Sequence, residues 1–374
     1  MIGLTSRAAV LDGVKGNFSL AAAAVPEPGP GSVIVKQELC GICGTDVHVF
    51  QGHMKSVPMP VVLGHEIVGT IVALGEGVTT DCTGRPVKEG DLIGIKPGVS
   101  DSSDFFGSMA FQPTLSAGFG AYGFAAAGMK HLPLEVTGGF AGYQWLIPGT
   151  KFYKMNADPV AASILEPLSV GIHAAGRATY QIGDTVVIQG AGPIGLMALI
   201  AAKELGAFKT IVIGAPADRL AFARELGADL TIDITDVTDP AERQKIVREA
   251  SGHGYGADII IEATGVLAAL PEGFDLLRRG GQYVTCGHFT NVGDVSLNPW
   301  GHFTFKQITL YGVWGSAHGH FVQARQLIES GKYPFAAFVS HQLPLERLAD
   351  GIAAMSGRYT VDDEPIRKVA IRAN

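Results

Sequence analysis

Three short stretches carry side chains that bind metals: Cys40-Gly41-Ile42-Cys43-Gly44-Thr45-Asp46-Val47-His48, Gly64-His65-Glu66, and Leu165-Glu166-Pro167-Leu168-Ser169-Val170-Gly171. A thiolate, an imidazole and a carboxylate drawn from separate loops make a three-ligand zinc site with one coordination position open. That pattern points to a catalytic ion, because a structural zinc has all four positions filled by protein. An open position next to a hydride acceptor lets the ion polarise an alcohol oxygen while hydride leaves the adjacent carbon.

A hydride-acceptor site is signalled directly downstream. Residues 185–189 read as a short buried strand. Gly190-Ala191-Gly192-Pro193-Ile194-Gly195 follows, and residues 196–205 read as a helix. In that strand–turn–helix context the first glycine permits the turn, the second lets backbone approach a pyrophosphate, and the third allows close helix–strand packing. The pyrophosphate then meets free N–H groups at the positive end of the helix dipole. The acid that holds a ribose 2′-hydroxyl belongs at the end of the next strand, where this chain has Gly214. No carboxylate there would repel a 2′-phosphate, yet no Lys or Arg directly follows to hold one. Arg219 is the nearest cation, and it reads equally as a helix-surface charge. The cofactor stays open between NAD and NADP, with NAD favoured.

The elements that must position these residues divide the 374-residue chain, whose length exceeds that of one ordinary core. Residues 1–155 read as short β segments punctuated by Gly and Pro, among them 32–39, 67–74 and 91–95. Further on, strands at 185–189, 210–213, 230–234, 258–261, 282–286 and 308–313 alternate with helical stretches. Such alternation predicts a parallel, doubly wound sheet. Helices are predicted at 320–330 and 345–355, and a last strand at 367–371 that returns to the first domain. Residues 97–142 form an irregular lobe, expected to be ordered by Phe105, Phe106, Phe111, Phe119 and Tyr122. The net charge of −7 and the absence of any basic cluster argue against nucleic-acid binding. No apolar run reaches the ~18 residues of a membrane span. The four scattered cysteines make no disulfide framework, and the start of the chain lacks signal-peptide order, so a cytoplasmic location is expected.

Together the motifs Cys43-Gly44-Thr45-Asp46-Val47-His48, Gly64-His65-Glu66 and Glu166-Pro167-Leu168-Ser169-Val170-Gly171-Ile172-His173 resemble the zinc-dependent medium-chain dehydrogenase/reductase family, nearest its sorbitol and threonine dehydrogenase branch. The resemblance implies an α/β fold: a Rossmann doubly wound parallel sheet plus a GroES-like, mainly β catalytic domain. The implied domains are 1–167 (catalytic), 168–314 (dinucleotide-binding) and 315–374 (return to the catalytic domain). It implies Cys43, His65 and Glu166 as zinc ligands, with Glu66 adjoining and able to take a ligand position. Asp46 is implied to orient the histidine ligand through its other ring nitrogen. Thr45 and His48 are implied to relay the alcohol proton. Around the cofactor it implies Gly190, Gly192, Pro193, Ile194, Gly195, Gly214, Arg219, Thr264 and Gly287.

The expected reaction is reversible oxidation of an apolar secondary alcohol to a ketone. A polyol or amino-alcohol dehydrogenase, a zinc-free reductase and a silent dinucleotide-binding protein are the alternatives. Relatives often hold a second zinc on four cysteines in the lobe. Residues 97–107 contain none, so one catalytic zinc and no structural zinc is expected. A homodimer or homotetramer is implied, with strand 308–313 as the subunit contact.

Overall fold

A computed structural model describes residues 3–99, 104–106, 113–116, 119–124 and 129–373. Backbone contacts divide the chain into two compact units, Met1–Glu166 with Ser316–Asn374, and Pro167–Gly315.

The first unit is mostly β. Its strands up to the second unit are β1 (Thr5–Leu11), β2 (Phe18–Ala24), β3 (Val33–Gly41), β4 (Val61–Val62) and β5 (Glu66–Leu74), then β6 (Leu92–Ile95), β7 (Gly98–Val99), β8 (Gly120–Ala121), β9 (Tyr143–Leu146) and β10 (Phe152–Lys154). After the second unit come β17 (Val339–Pro344), β18 (Thr360–Val361), β19 (Glu364–Pro365) and β20 (Lys368–Arg372). The main sheet has seven strands in the order β10-β6-β5-β3-β20-β17, with β9 also paired to β3. Its central strand, β3, is mostly buried, with apolar ends at Val33–Val35 and Leu39–Cys40 around a polar middle, Lys36-Gln37-Glu38. Antiparallel pairing sets Gly41 of β3 opposite Glu66 of β5 and, on its other side, opposite Ala370 of β20. The returning strand expected at 367–371 is therefore a full member of the sheet that carries Glu66. A short helix, α1 (Gly44–Phe50), leaves the end of β3.

The second unit is a six-stranded, wholly parallel sheet in the order β13-β12-β11-β14-β15-β16. These are Leu230–Asp233, Lys209–Gly214, Thr185–Gln189, Ala257–Glu262, Leu277–Thr285 and Thr309–Gly312 respectively. The helices of this region are α2 (Leu165–Ala175), α3 (Pro193–Glu204), α4 (Ala217–Glu225), α5 (Pro240–Ala250) and α6 (Ala269–Leu276); α7 (His318–Glu329) follows in the first unit. Strand β11, Thr-Val-Val-Ile-Gln, is buried at every position, the continuous run expected where helices cover both faces. Strand order reverses at β11, with β12 on one side and β14 on the other. The crevice at the carboxyl ends of these strands is where open α/β sheets bind ligands. Strand β16 lies at the edge and is largely exposed.

The aromatic lobe differs from expectation. Phe105 and Phe106 pack edge-to-face on each other but are 70% and 44% exposed, so they do not form its core. Phe111 lies outside the described residues. Tyr122 is the buried anchor: its hydroxyl accepts from Ile147 N at 2.8 Å and lies 2.9 Å from Thr150 Oγ1. A polar tip with two partners fixes one rotamer in a way that two adjacent, solvent-facing phenylalanines cannot.

Candidate functional site

Cys43 is the N-cap of α1, with extended backbone (φ −103°, ψ 158°). Asp46, fully buried, closes the first turn: its Oδ2 accepts from Cys43 N at 2.8 Å and its Oδ1 from Gly64 N at 3.1 Å. One carboxylate thus ties the cysteine loop to the loop that carries His65. Gly64 needs its positive φ (+91°), and any Cβ there would lie 2.9 Å from both Cys40 Sγ and the Phe140 ring. His65 emerges from this turn, its ring 4.9 Å from that of Phe124.

The result is a convergence of ligand atoms. One atom each from Cys43, His65 and Glu66 lies within 4.8 Å of the others. A tetrahedral zinc shell, with bonds of about 2.0–2.3 Å, spaces its donors by roughly 3.3–3.6 Å, so the trio can close on one ion. His65 Nδ1 is buried and makes no hydrogen bond among the described residues. This nitrogen faces the Asp46 carboxylate, an arrangement that favours N–H there and leaves the other ring nitrogen with the lone pair that a cation would use. Burial works against a charged His65, but the adjacent Asp46 and Cys43 hold its pKa well above the usual imidazole range. The donor set fits zinc: a soft sulfur, a borderline nitrogen and a hard oxygen.

Two expected details come out differently. Asp46 Oδ1 is 3.6 Å from His65 Nδ1, beyond a hydrogen bond, while its two oxygens accept from backbone N–H groups. Asp46 therefore positions the ligand loops more than the imidazole ring. Glu66, expected beside the ion and able to take a ligand position, belongs to the converging trio, and Glu166, also expected as a ligand, lies near enough to feel both His65 and Glu66 without joining it. Leu165 carries Glu166 towards this region by packing on Gly94 of β6, where a Cβ would fall 2.3 Å from Leu165 Cδ2. Burial pushes the Glu166 carboxyl up to about 7, with His65 pulling it down and Glu66 pushing it further up.

A buried lysine was not foreseen. Lys368 Nζ sits 2.5 Å from Glu66 Oε2, the two side chains 2% and 1% exposed. The register explains it. Glu66 faces Gly41 across the sheet, and a Cβ on Gly41 would lie 1.9 Å from Glu66 Oε2 and 2.8 Å from Lys368 Cε. The missing side chain is the gap through which strand β5 meets strand β20. Burial alone would lower the Lys368 ammonium, but Glu66 beside it keeps its pKa above the ordinary lysine value. A lone lysine in a late strand carries no sequence signal; the unusual glycine next to Cys40 was the only hint.

Thr45 Oγ1 lies 3.5 Å from Cys43 Sγ. His48, one helical turn further, is half-buried and places its Nδ1 2.8 Å from Nδ1 of His53. Burial, then His53, lowers the His48 pKa.

In the second unit, Gly190 takes φ +114° and donates to Ile213 O at 2.7 Å. A Cβ on Gly195 would fall 1.9 Å from Gly190 O, whereas one on Gly192 would meet nothing within 4 Å. The third glycine is thus bound to packing and the second borders open space, which is the cradle a pyrophosphate needs. Gly192 caps α3, and Pro193 and Ile194 form its first turn. A Cβ on Gly214 would lie 2.7 Å from Ala191 N, so an acidic side chain has no room there. Arg219 is 7% exposed, which removes its reading as a surface charge. Glu262, fully buried, organises the remaining loop: its Oε1 accepts from Thr264 N, Thr264 Oγ1 and Gly265 N at 2.7–2.8 Å, and a Cβ on Gly287 would lie 2.5 Å from the same oxygen. Thr264 and Gly287 are held together by a carboxylate that the sequence showed only as the polar end of an apolar strand.

Residues 29–156 match the alcohol dehydrogenase GroES-like domain, and residues 193–330 match the zinc-binding dehydrogenase family. The 5-exo-hydroxycamphor dehydrogenase of Pseudomonas putida is 34% identical over 87% of this chain and 89% of its own length. Sorbitol dehydrogenase of Ovis aries is 32% identical over 86% of each chain. An alcohol dehydrogenase structure from Thermotoga maritima superposes over the whole of both chains, with a TM-score of 0.91 and 32% identity. This chain belongs to the zinc-dependent medium-chain alcohol dehydrogenase family, in its sorbitol dehydrogenase-like branch. It is a zinc- and nicotinamide-dependent oxidoreductase. Among the described residues no helix is long and apolar enough to cross a membrane.

Proposed function

We propose that this enzyme interconverts an apolar secondary alcohol and its ketone, with NAD as the hydride acceptor and a single catalytic zinc. The carrying observation is the convergence of Cys43, His65 and Glu66 at the capped start of α1. Bound there, zinc supplies electrophilic activation of the alcohol oxygen, and the nicotinamide accepts hydride. Cys43 and His65 hold the ion; Glu66 and Glu166 share the carboxylate role, one at a time, so that the site keeps a near-neutral charge and an open position. Thr45, one residue into α1, meets the substrate hydroxyl, and His48 takes its proton outward. Asp46 keeps both ligand loops in register.

Gly214 lacks the acid that excludes a 2′-phosphate, but no Lys or Arg directly follows it to hold one, which favours NAD. A relative named for a hydroxycamphor supports a bulky apolar alcohol over a polyol. Edge strand β16, largely exposed, is the proposed contact of a homodimer or homotetramer in the cytoplasm.

The test is a spectrophotometric screen of alcohols at 340 nm with NAD and NADP in parallel, alongside metal analysis. Hydrophobic secondary alcohols should be oxidised, with one zinc per chain, and Cys43→Ser should lose both metal and turnover while folding normally. Sorbitol outrunning every apolar alcohol would overturn the substrate class. A folded, metal-free Cys43→Ser variant with full turnover would overturn the zinc chemistry.

A further inference from the structure

The sequence contains no basic run, yet folding gathers a cationic cluster from three separate segments. A cavity of about 710 Å³ in the second unit is lined by Arg248, Tyr255, Arg278, Arg279, Phe305 and Lys306, among others. Topology fixes where it lies. Arg248 is in the last turn of α5, and Tyr255 stands just before β14. Arg278 and Arg279 are the second and third residues of β15, and Lys306 precedes β16. These are the amino ends of parallel strands, whereas Gly190, Gly192 and Gly195 follow a carboxyl end. The cavity is thus at the opposite edge of the sheet from the dinucleotide turn. Gly280, at φ +66°, donates to Lys306 O at 2.6 Å and so draws the last segment against the arginines.

The cations are not spent equally. Arg278 is paired with Asp258 at 2.5 Å. Lys306 Nζ donates to the carbonyls of Phe274 and Leu277, which uses two of its three N–H groups. The Arg279 guanidinium lies over the Phe305 ring, 4.2 Å from its centre, an arrangement that leaves the N–H edges for a bidentate anion. Neither Arg279 nor Arg248 has an anionic partner among the described residues. Burial lowers the Lys306 ammonium pKa, Asp275 raises it, and Arg248 and Arg279 lower it again. Like charges facing one another across one carboxylate cost stability, a cost that an anionic ligand offsets. Tyr255, 74% exposed, stacks on His253 with ring centres 5.8 Å apart and lines the same cavity.

We propose that this cavity binds a nucleoside diphosphate, its phosphates on Arg248, Arg279 and Lys306 and its base on the Tyr255 ring. Guanidinium forks and an ammonium suit terminal phosphate oxygens, and an aromatic face suits any base. The volume is that of a small-molecule pocket, and one concave site fits a single nucleotide better than a polymer. It is separate from the cofactor's place at the carboxyl ends of the strands.

The test is calorimetric titration of the zinc-loaded wild type with ADP. Two sites per chain are expected, the dinucleotide turn and this cavity, and NADH should displace ADP from one of them only. In Arg248→Ala and in Arg279→Ala the NADH-resistant site should weaken by roughly tenfold or more, and in the double variant it should vanish. Both side chains are exposed, so these variants keep the fold, and their ligand-free melting temperature should match or exceed that of the wild type. Tyr255→Ala should weaken ADP at this site while leaving inorganic pyrophosphate, titrated with NADH present, unchanged. One ADP per wild-type chain, fully displaced by NADH, overturns the proposal, as does an NADH-resistant site untouched in the double variant. Pyrophosphate binding as tightly as ADP, with Tyr255→Ala harmless to both, overturns the nucleotide assignment. None of these readouts depends on which alcohol the enzyme oxidises.

Discussion

At the residue scale the metal centre is organised by two buried charges that were not equally visible. Asp46 could be read from its place between Cys43 and His48, although its work falls on two backbone N–H groups more than on the His65 ring. Lys368 could not, because nothing in Arg367-Lys368-Val369 distinguishes a core lysine from a surface one. Its ion pair with Glu66 is nearly free of solvent. Removing one partner of such a pair leaves a buried charge without compensation, at a cost of about 3–5 kcal/mol. Lys368→Met should therefore lower stability by that order in urea unfolding of the metal-free protein. Lys368→Met combined with Glu66→Gln should recover much of the loss, because no charge is then stranded. If the double variant were no better than the single, Lys368 would be acting through packing and not through Glu66.

At the element scale the parallel sheet was largely legible. Its central strands carry apolar runs, and β11 at Thr185–Gln189, followed by Gly190, agrees with the sequence reading to the residue. The strand ends at β15 were less so: residues 282–286 read as the strand, which in fact begins at Leu277, because Arg278, Arg279 and two glycines hide its first half. The lobe was misread for a related reason. Aromatic content predicts burial only where backbone can turn the rings inward, and Phe105 and Phe106 are both exposed. Glycine spacing fared better. Gly195 faces Gly190 O so closely that Gly195→Ala must push α3 away from the turn that cradles the dinucleotide. Overpacking of this kind costs about 1–3 kcal/mol. The expected outcome is a protein that still binds zinc but has at least tenfold weaker dinucleotide affinity by fluorescence titration. Unchanged affinity would mean that the pyrophosphate does not sit at the start of α3.

On the scale of the whole molecule, two ligands act on two units of one chain. Anything that binds only the folded state adds stability by mass action, about 2.7 kcal/mol at a hundred times its dissociation constant. Titrating NAD and NADP separately into the zinc-loaded enzyme should raise its melting temperature at lower NAD than NADP concentration. The reverse order would reassign the cofactor and bring Arg219 forward as a phosphate ligand.

The cross-sheet pairing of Glu66 with Lys368 also bears on how the protein is made. Lys368 bonds the carbonyl of Ile42 from 326 residues downstream, and the whole second unit is translated in between. While the ribosome is still at work, Glu66 has no counter-ion and the sheet lacks its penultimate strand. A nascent chain thus has every metal-binding side chain long before it has the charge that steadies one of them. Translation that stalled short of β20 would leave a polypeptide whose dinucleotide unit can fold but whose metal pocket stays unfinished, a natural substrate for chaperones or proteases.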